Sequence, residues 1–116
     1  MSAHLEGKSL AQIFDDLVCP AMRQIGDLWA SGEINITQEH LATRTAHNAV
    51  YKLRQTLPVS QSVEKTALCC ALEGDLHELP THLVQMTIEN EGWDAINFGA
   101  NTPLYALTEE ILSRKP

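Results

Sequence analysis

The sequence predicts an α/β fold, a short helical hairpin followed by a truncated β-α-β-α unit with a parallel sheet. Three observations carry that expectation. Up to Pro58 apolar residues recur at three- and four-residue spacing, the period of a helix that turns one face to a core. After Lys65 the period changes to short continuous apolar runs separated by helical stretches, the pattern of parallel strands with crossover helices. The 116 residues, 44% hydrophobic and 20% charged, have ordinary globular composition, which argues against disorder of the whole chain.

The first helix is predicted over about 9–31. Leu10, Ile13, Phe14, Leu17, Ala21, Ile25, Leu28 and Trp29 form one stripe, with Ser9 placed to cap its start and Gly32 to stop it. Pro20 falls inside the stripe and predicts a kink or break. A second helix is expected from Thr37, as N-cap, to about Leu57, before Pro58. Its expected buried face is Leu41, Thr45, Ala49, Val50, Leu53 and Leu57. The connection Gly32-Glu33-Ile34-Asn35-Ile36 is short, which favours antiparallel pairing of the two helices.

Residues 58–65 read as a linker between a cap-like segment, 1–58, and a sheet-bearing segment, 66–116, within one compact molecule. Thr66 to Leu72 is a continuous apolar run, predicted as a strand covered on both faces and ended by Gly74. Pro80 suits the first turn of a helix to about Glu91, stopped by Gly92. Trp93 to Phe98 is the second strand and residues 99–102 its turn. Pro103 opens a last helix to about Ser113, with Thr102 as its N-cap. Two parallel strands leave both sheet edges open, so a sheet edge, or the helical hairpin, is expected to pair with a second copy, with a homodimer favoured.

A net charge of −7 and a pI near 5.0 argue against nucleic acid or an anionic membrane as a direct partner, because phosphates need a basic face. The chain begins with the polar Met1-Ser2-Ala3-His4 and has no apolar run long enough to span a bilayer, so the cytoplasm is the expected compartment. Cys69 and Cys70 are adjacent on a strand and point to opposite faces, and no Cys-x-x-Cys occurs. Buried, reduced thiols are expected for all three cysteines. No nucleophile–base pair stands out, so the chain is not expected to be an enzyme by itself.

In sheets of this kind ligands bind beyond the carboxyl ends of the strands. There the sequence places Glu73-Gly74-Asp75-Leu76-His77-Glu78-Leu79 and Gly99-Ala100-Asn101-Thr102. A carboxylate two residues before an imidazole can fix the ring's tautomer while the other nitrogen meets a metal. An Asp-x-His pair alone fits a solvated loop histidine equally well.

A second motif adds weight. Trp29, nine residues, then Glu39-His40, flanked by Gly26-Asp27-Leu28 and Gly32-Glu33-Ile34, resembles the helical half of cobalamin-binding domains of the adenosylcobalamin photoreceptor and sensor regulators. Asp75-Leu76-His77-Glu78-Leu79-Pro80 is similar to that family's Asp-x-His-x-x-Gly motif. Asn97-Phe98-Gly99-Ala100-Asn101-Thr102-Pro103 resembles its second strand and turn. The resemblance runs from about residue 10 to the end, with the motifs in order and register.

It implies a helical cap over a Rossmann-like layer and a bound cobalamin, adenosylcobalamin favoured. His77 would be the lower axial ligand of the cobalt, replacing the cofactor's dimethylbenzimidazole, with Asp75 hydrogen-bonded behind it. Trp29 would lie over the upper corrin face against the adenosyl group, with Glu39 and His40 nearby and Glu39 able to accept from ribose hydroxyls. Gly99, Asn101 and Thr102 would belong to the cofactor-binding turn. Plainer readings of the same residues stand beside these. Trp29 continues the helix stripe and suits a core, Glu39 suits the first turn of any helix, His47 reads as structural or exposed, and His82 lies on a helix surface.

The chain also departs from the family pattern. Pro80 replaces the motif glycine, adding a ring and removing a donor, and the family's Ser-x-Leu and Gly-Gly motifs do not follow before Pro116. Ala30 stands where photoreceptor members often place a histidine, so a light-driven bis-histidine adduct is not expected. The resulting expectation is a cobalamin-binding or cobalamin-derived sensor module without its own DNA-binding domain, acting through oligomerisation or a regulatory protein. Two alternatives stay open: a scaffold without corrinoid that binds a protein or an amphiphilic small molecule, and a corrinoid carrier for methyl transfer.

Overall fold

The computed structural model describes residues 7–116. The chain divides after Leu57 into two compact units. The first begins with α1 (Leu10–Ile13), capped as expected by Ser9. The Ser9 hydroxyl accepts the Gln12 N–H at 3.2 Å, and the Gln12 side chain accepts the Ser9 N–H at 2.8 Å. Two orphan donors of the helix start are thereby satisfied.

The helix does not break at Pro20. It widens at Phe14–Val18 into a π-turn, in which the Cys19 N–H reaches back to the Phe14 carbonyl, and continues as α2 (Cys19–Ala30). Pro20 therefore sits at the start of the renewed α-helix, where a missing N–H costs little. The extra residue in the wide turn also rotates the apolar stripe. Leu10, Ile13 and Phe14 are buried as expected, but from Val18 onward the half-buried residues include Val18, Met22, Ile25 and Leu28, while Leu17 and Ala21 are exposed.

Gly32, at φ 79°, ends α2 in a Schellman turn. Its N–H donates to the Trp29 carbonyl at 3.0 Å and the Glu33 N–H to Leu28 at 2.9 Å. The next helix, α3 (Ile36–Thr56), is capped by Asn35 rather than Thr37. Asn35 Oδ1 accepts the Gln38 N–H at 2.8 Å and the Gln38 side chain returns the bond at 2.9 Å. This reciprocal pair satisfies more donors than a threonine two residues later could. The covered face of α3 is also rotated from the expected one. Val50 and Leu53 are buried and Ala46 and His47 half-buried, whereas Leu41, Thr45 and Ala49 are exposed.

The second unit is β-α-β-α, as expected. Strands β1 (Thr66–Cys69) and β2 (Asp94–Asn97) pair in parallel from Thr66↔Asp94 to Cys69↔Asn97. Both are shorter than the apolar runs that mark them, and the chains stay joined past Cys69 through a bridge between Leu72 and Thr102. The crossover helix α4 (Leu79–Glu89) carries Pro80 in its first turn, and its Leu79, Thr81 and Met86 join Cys69 and Ala95 among the buried residues. Met86, 1% exposed, is the most enclosed large side chain described. Double cover of β1 is only partial, since Thr66, Ala67 and Leu68 are half-buried.

The last helix, α5 (Leu104–Arg114), is capped by Pro103 without a side-chain bond, not by Thr102. The Thr102 hydroxyl turns back to the Gly99 carbonyl at 3.3 Å instead. None of the α5 residues is buried. The three cysteines are free, but only Cys69 is buried, while Cys19 and Cys70 are half-buried. Burial, then the neighbouring Cys70 and Glu89, pushes the Cys69 thiol up. No helix among the described residues is long and apolar enough to cross a membrane.

Candidate functional site

The loop after β1 is folded around one carboxylate. Asp75 Oδ1 accepts the His77 backbone N–H at 2.9 Å and lies 2.8 Å from His77 Nδ1. An ionised carboxylate can only accept, so Nδ1 carries the proton. In the neutral ring Nε2 then holds a lone pair, and the side chain around it is 84% exposed. The two donors from His77, backbone first and ring second, hold the Asp75 carboxyl below the usual aspartate range, outweighing a slight opposing effect of desolvation. Leu72 and Leu76, 50% and 73% exposed, flank this imidazole in the chain.

The loop after β2 braces the loop after β1. Asn101, in the left-handed region at φ 55°, donates its N–H to the Asp75 carbonyl at 2.8 Å and accepts the Gly74 N–H on Oδ1 at 3.0 Å. The Thr102 N–H donates to Ala71 at 2.9 Å and the Ala71 N–H to Gly99 at 2.9 Å. Thr102 is buried with its hydroxyl and N–H both engaged, so its place is in the frame of the loop. Gly99, at φ 82°, leaves room for a side chain from the other loop, since a Cβ there would lie 2.9 Å from Glu78 Oε1.

Sequence reasoning did not single out Glu78. Its Oε1 accepts the Ala100 N–H at 2.8 Å, and its Oε2 lies 3.5 Å from His82 Nε2. Nothing local marks it, because its partner is 22 residues away. His82, expected on a helix surface, is instead largely covered, its side chain 20% exposed. Asn97 was missed likewise. It accepts the Gly99 N–H at 2.8 Å and donates to Thr81 and Gln85 at 3.0 and 3.2 Å, tying the end of β2 to α4.

In the helical unit, Trp29 stands on the last turn of α2, just before the Schellman turn, and is 50% exposed. Its ring is not the enclosed core residue that the stripe alone would make it. Glu39 and His40 occupy the first turns of α3. Glu39 Oε2 lies 2.8 Å from His40 Nδ1, and Oε1 accepts the Thr43 hydroxyl at 2.9 Å. The Glu39 side chain is 23% exposed and that of His40 72%. His40 thus resembles His77 in arrangement, with Nδ1 held by a carboxylate and the far edge of the ring open. His47 packs edge-on against Tyr51, ring centres 6.3 Å apart, a structural place on α3.

Parts of the chain are similar to known proteins. Residues 1–54 match the family described as B12 binding domain. The chain is 23% identical over 100 residues to a methionine synthase of Mycobacterium tuberculosis, covering 84% of this chain and 8% of that protein. It is 23% identical over 103 residues to the HTH-type transcriptional repressor CarH of Myxococcus xanthus, covering 89% of this chain and 34% of that protein. Both alignments are longer than either compact unit and so reach into both. The chain therefore spans 8% and 34% of the lengths of these two curated relatives. Among solved structures, the methanol:cobalamin methyltransferase complex MtaBC from Methanosarcina barkeri is similar, with TM-score 0.45, 17% identity, and coverage of 90% of this chain and 41% of that one. A cobalamin-binding protein from Desulfitobacterium hafniense gives TM-score 0.42, 22% identity, and coverage of 82% and 44%.

Proposed function

We propose that this chain, whose residues 1–54 match the B12 binding domain family, binds cobalamin and acts as a sensor or regulatory module rather than as an enzyme in its own right. One observation carries the reading. His77 presents an exposed Nε2 whose lone pair is set by Asp75 on the opposite ring nitrogen. Such a carboxylate–imidazole pair orients a metal ligand and raises its basicity. A single imidazole would suit a metal whose other ligands the cofactor itself supplies. Bound there, the cofactor would supply a cobalt centre whose state the chain could sense. The chain's own residues would hold and orient it: His77 at the metal, Asp75 behind the ring, and Trp29, Glu39 and His40 as the helical unit's contribution.

The exposed Trp29 ring and the half-covered Glu39 carboxylate suit a nucleoside-bearing ligand, which favours adenosylcobalamin. A cytoplasmic setting and assembly with a second copy belong to the same proposal, the latter supported by the two open edges of a two-stranded parallel sheet.

The test is a dark titration of the purified chain with adenosyl-, methyl- and aquocobalamin, followed by visible absorbance. Imidazole coordination changes the cobalt spectrum, and His77→Ala should abolish that change. A wild-type chain that leaves all three spectra unaltered would remove the cofactor and leave a scaffold for a protein or an amphiphilic molecule. The similarity to methionine synthase favours a second reading, a corrinoid carrier for methyl transfer. Binding of methylcobalamin in preference to the adenosyl form, unaffected by Trp29→Ala, would select it. Sedimentation as a clean monomer at micromolar concentration would remove the second copy.

A further inference from the structure

We propose that Asn101 is a positioning residue for His77, and that its role is to clamp the histidine loop rather than to touch a ligand. This deepens the reading above, since it concerns the same imidazole. Every residue from Gly74 to His77 is exposed, so the sheet does not hold this loop by burial. Its hold on the rest of the unit is polar, and Asn101 closes it from two sides. The side-chain Oδ1 takes the Gly74 N–H at 3.0 Å, and the backbone N–H goes to the Asp75 carbonyl at 2.8 Å. Asp75 is thus pinned through its main chain on one side while its carboxylate orients His77 on the other.

The backbone at Asn101 has φ 55°, a region that asparagine, aspartate and glycine enter at least cost. In that conformation one short side chain can reach a neighbouring loop while its own N–H points the same way. Glu78 completes the arrangement in the opposite sense, accepting the Ala100 N–H at 2.8 Å, beside a Gly99 whose missing Cβ makes room. Each loop therefore lends one side chain to the other's backbone.

Asn101→Gly keeps the backbone conformation and deletes the Oδ1 acceptor. Asn101→Asp keeps both. In the ligand-free protein, nitrogen-15 spectra of the imidazoles report which ring nitrogen of His77 is protonated at neutral pH. Wild type and Asn101→Asp should show the Nδ1-protonated tautomer predominating, and Asn101→Gly should lose that preference with its thermal midpoint little changed. Coordination of cobalamin cobalt by His77 should weaken about tenfold in the glycine variant, the low end for groups that orient a metal ligand, and recover in the aspartate variant. A glycine variant with the wild-type tautomer population overturns the proposal. Should that variant not fold, hydrogen exchange at the Gly74 amide of the wild-type protein decides: protection supports the clamp, and exchange at the rate of an open chain overturns it. A chain that binds no cobalamin would sink the proposed function while leaving the tautomer result, and hence the clamp, to stand on its own.

Discussion

At Asp75 two donors from a single residue converge on one carboxylate oxygen, and the charged form of the acid is what accepts them. Its pKa in the folded chain is therefore depressed. The sign of the resulting pH effect follows directly. A depressed folded value means that the contribution is present above the unfolded value and is lost as pH falls through the folded one. Carbon-13 titration of the Asp75 carboxyl should give a midpoint below that of an unstructured aspartate. Asp75→Asn should remove the titration and the His77 tautomer preference together. A midpoint at or above the ordinary aspartate value would contradict the double bond to His77. The Asp75–His77 pair was legible in the sequence because both members sit two residues apart. Asn101 and Glu78 were not legible in their bracing roles, since each acts on a loop more than 20 residues away.

At the scale of elements, the sequence period located the helices and both strands among the described residues, and the errors are of phase, of caps and of strand length. The π-turn at Phe14–Val18 inserts a residue into the helical count, so Leu17 and Ala21 leave the buried stripe and Val18 and Met22 replace them. No local residue marks that turn. The Asn35 cap was readable in principle, because Asn35-Ile36-Thr37-Gln38 has the spacing of a reciprocal capping pair, just as Ser9-Leu10-Ala11-Gln12 does. Asn35→Ala should cost about 1 kcal/mol, measured by urea unfolding. Met86→Ala, which empties the most enclosed site described, should cost about 2–5 kcal/mol. Gly92 is held by a different constraint. It lies at φ 88°, and a Cβ there would run into the Gln61 carbonyl, while its own carbonyl accepts the Val63 N–H at 3.0 Å. Gly92→Ala should destabilise by about 1–3 kcal/mol from backbone strain alone. A neutral result would mean that residues 61–63 do not rest on that turn.

At the scale of the whole molecule, two compact units share 116 residues, so each has a small interior. The large buried side chains are few: Leu10, Ile13, Phe14, Val50 and Leu53 in the first unit, Leu79 and Met86 in the second. Cores of this size supply only about 3–5 kcal/mol of net stability. A ligand that binds only the folded chain adds about 2.7 kcal/mol at a hundredfold excess over its Kd, which is comparable to the whole. With a midpoint shift of roughly 4–8 °C for each kcal/mol in domains of this length, bound cobalamin should raise the thermal midpoint by about 10 °C or more. Melts followed by far-ultraviolet circular dichroism at increasing cobalamin concentration should show a midpoint climbing with the logarithm of free cofactor. His77→Ala should flatten that climb while leaving the ligand-free midpoint close to wild type, because the ring is exposed and contributes little to the core. A wild-type midpoint indifferent to cobalamin would leave His77 an oriented imidazole with no metal to meet.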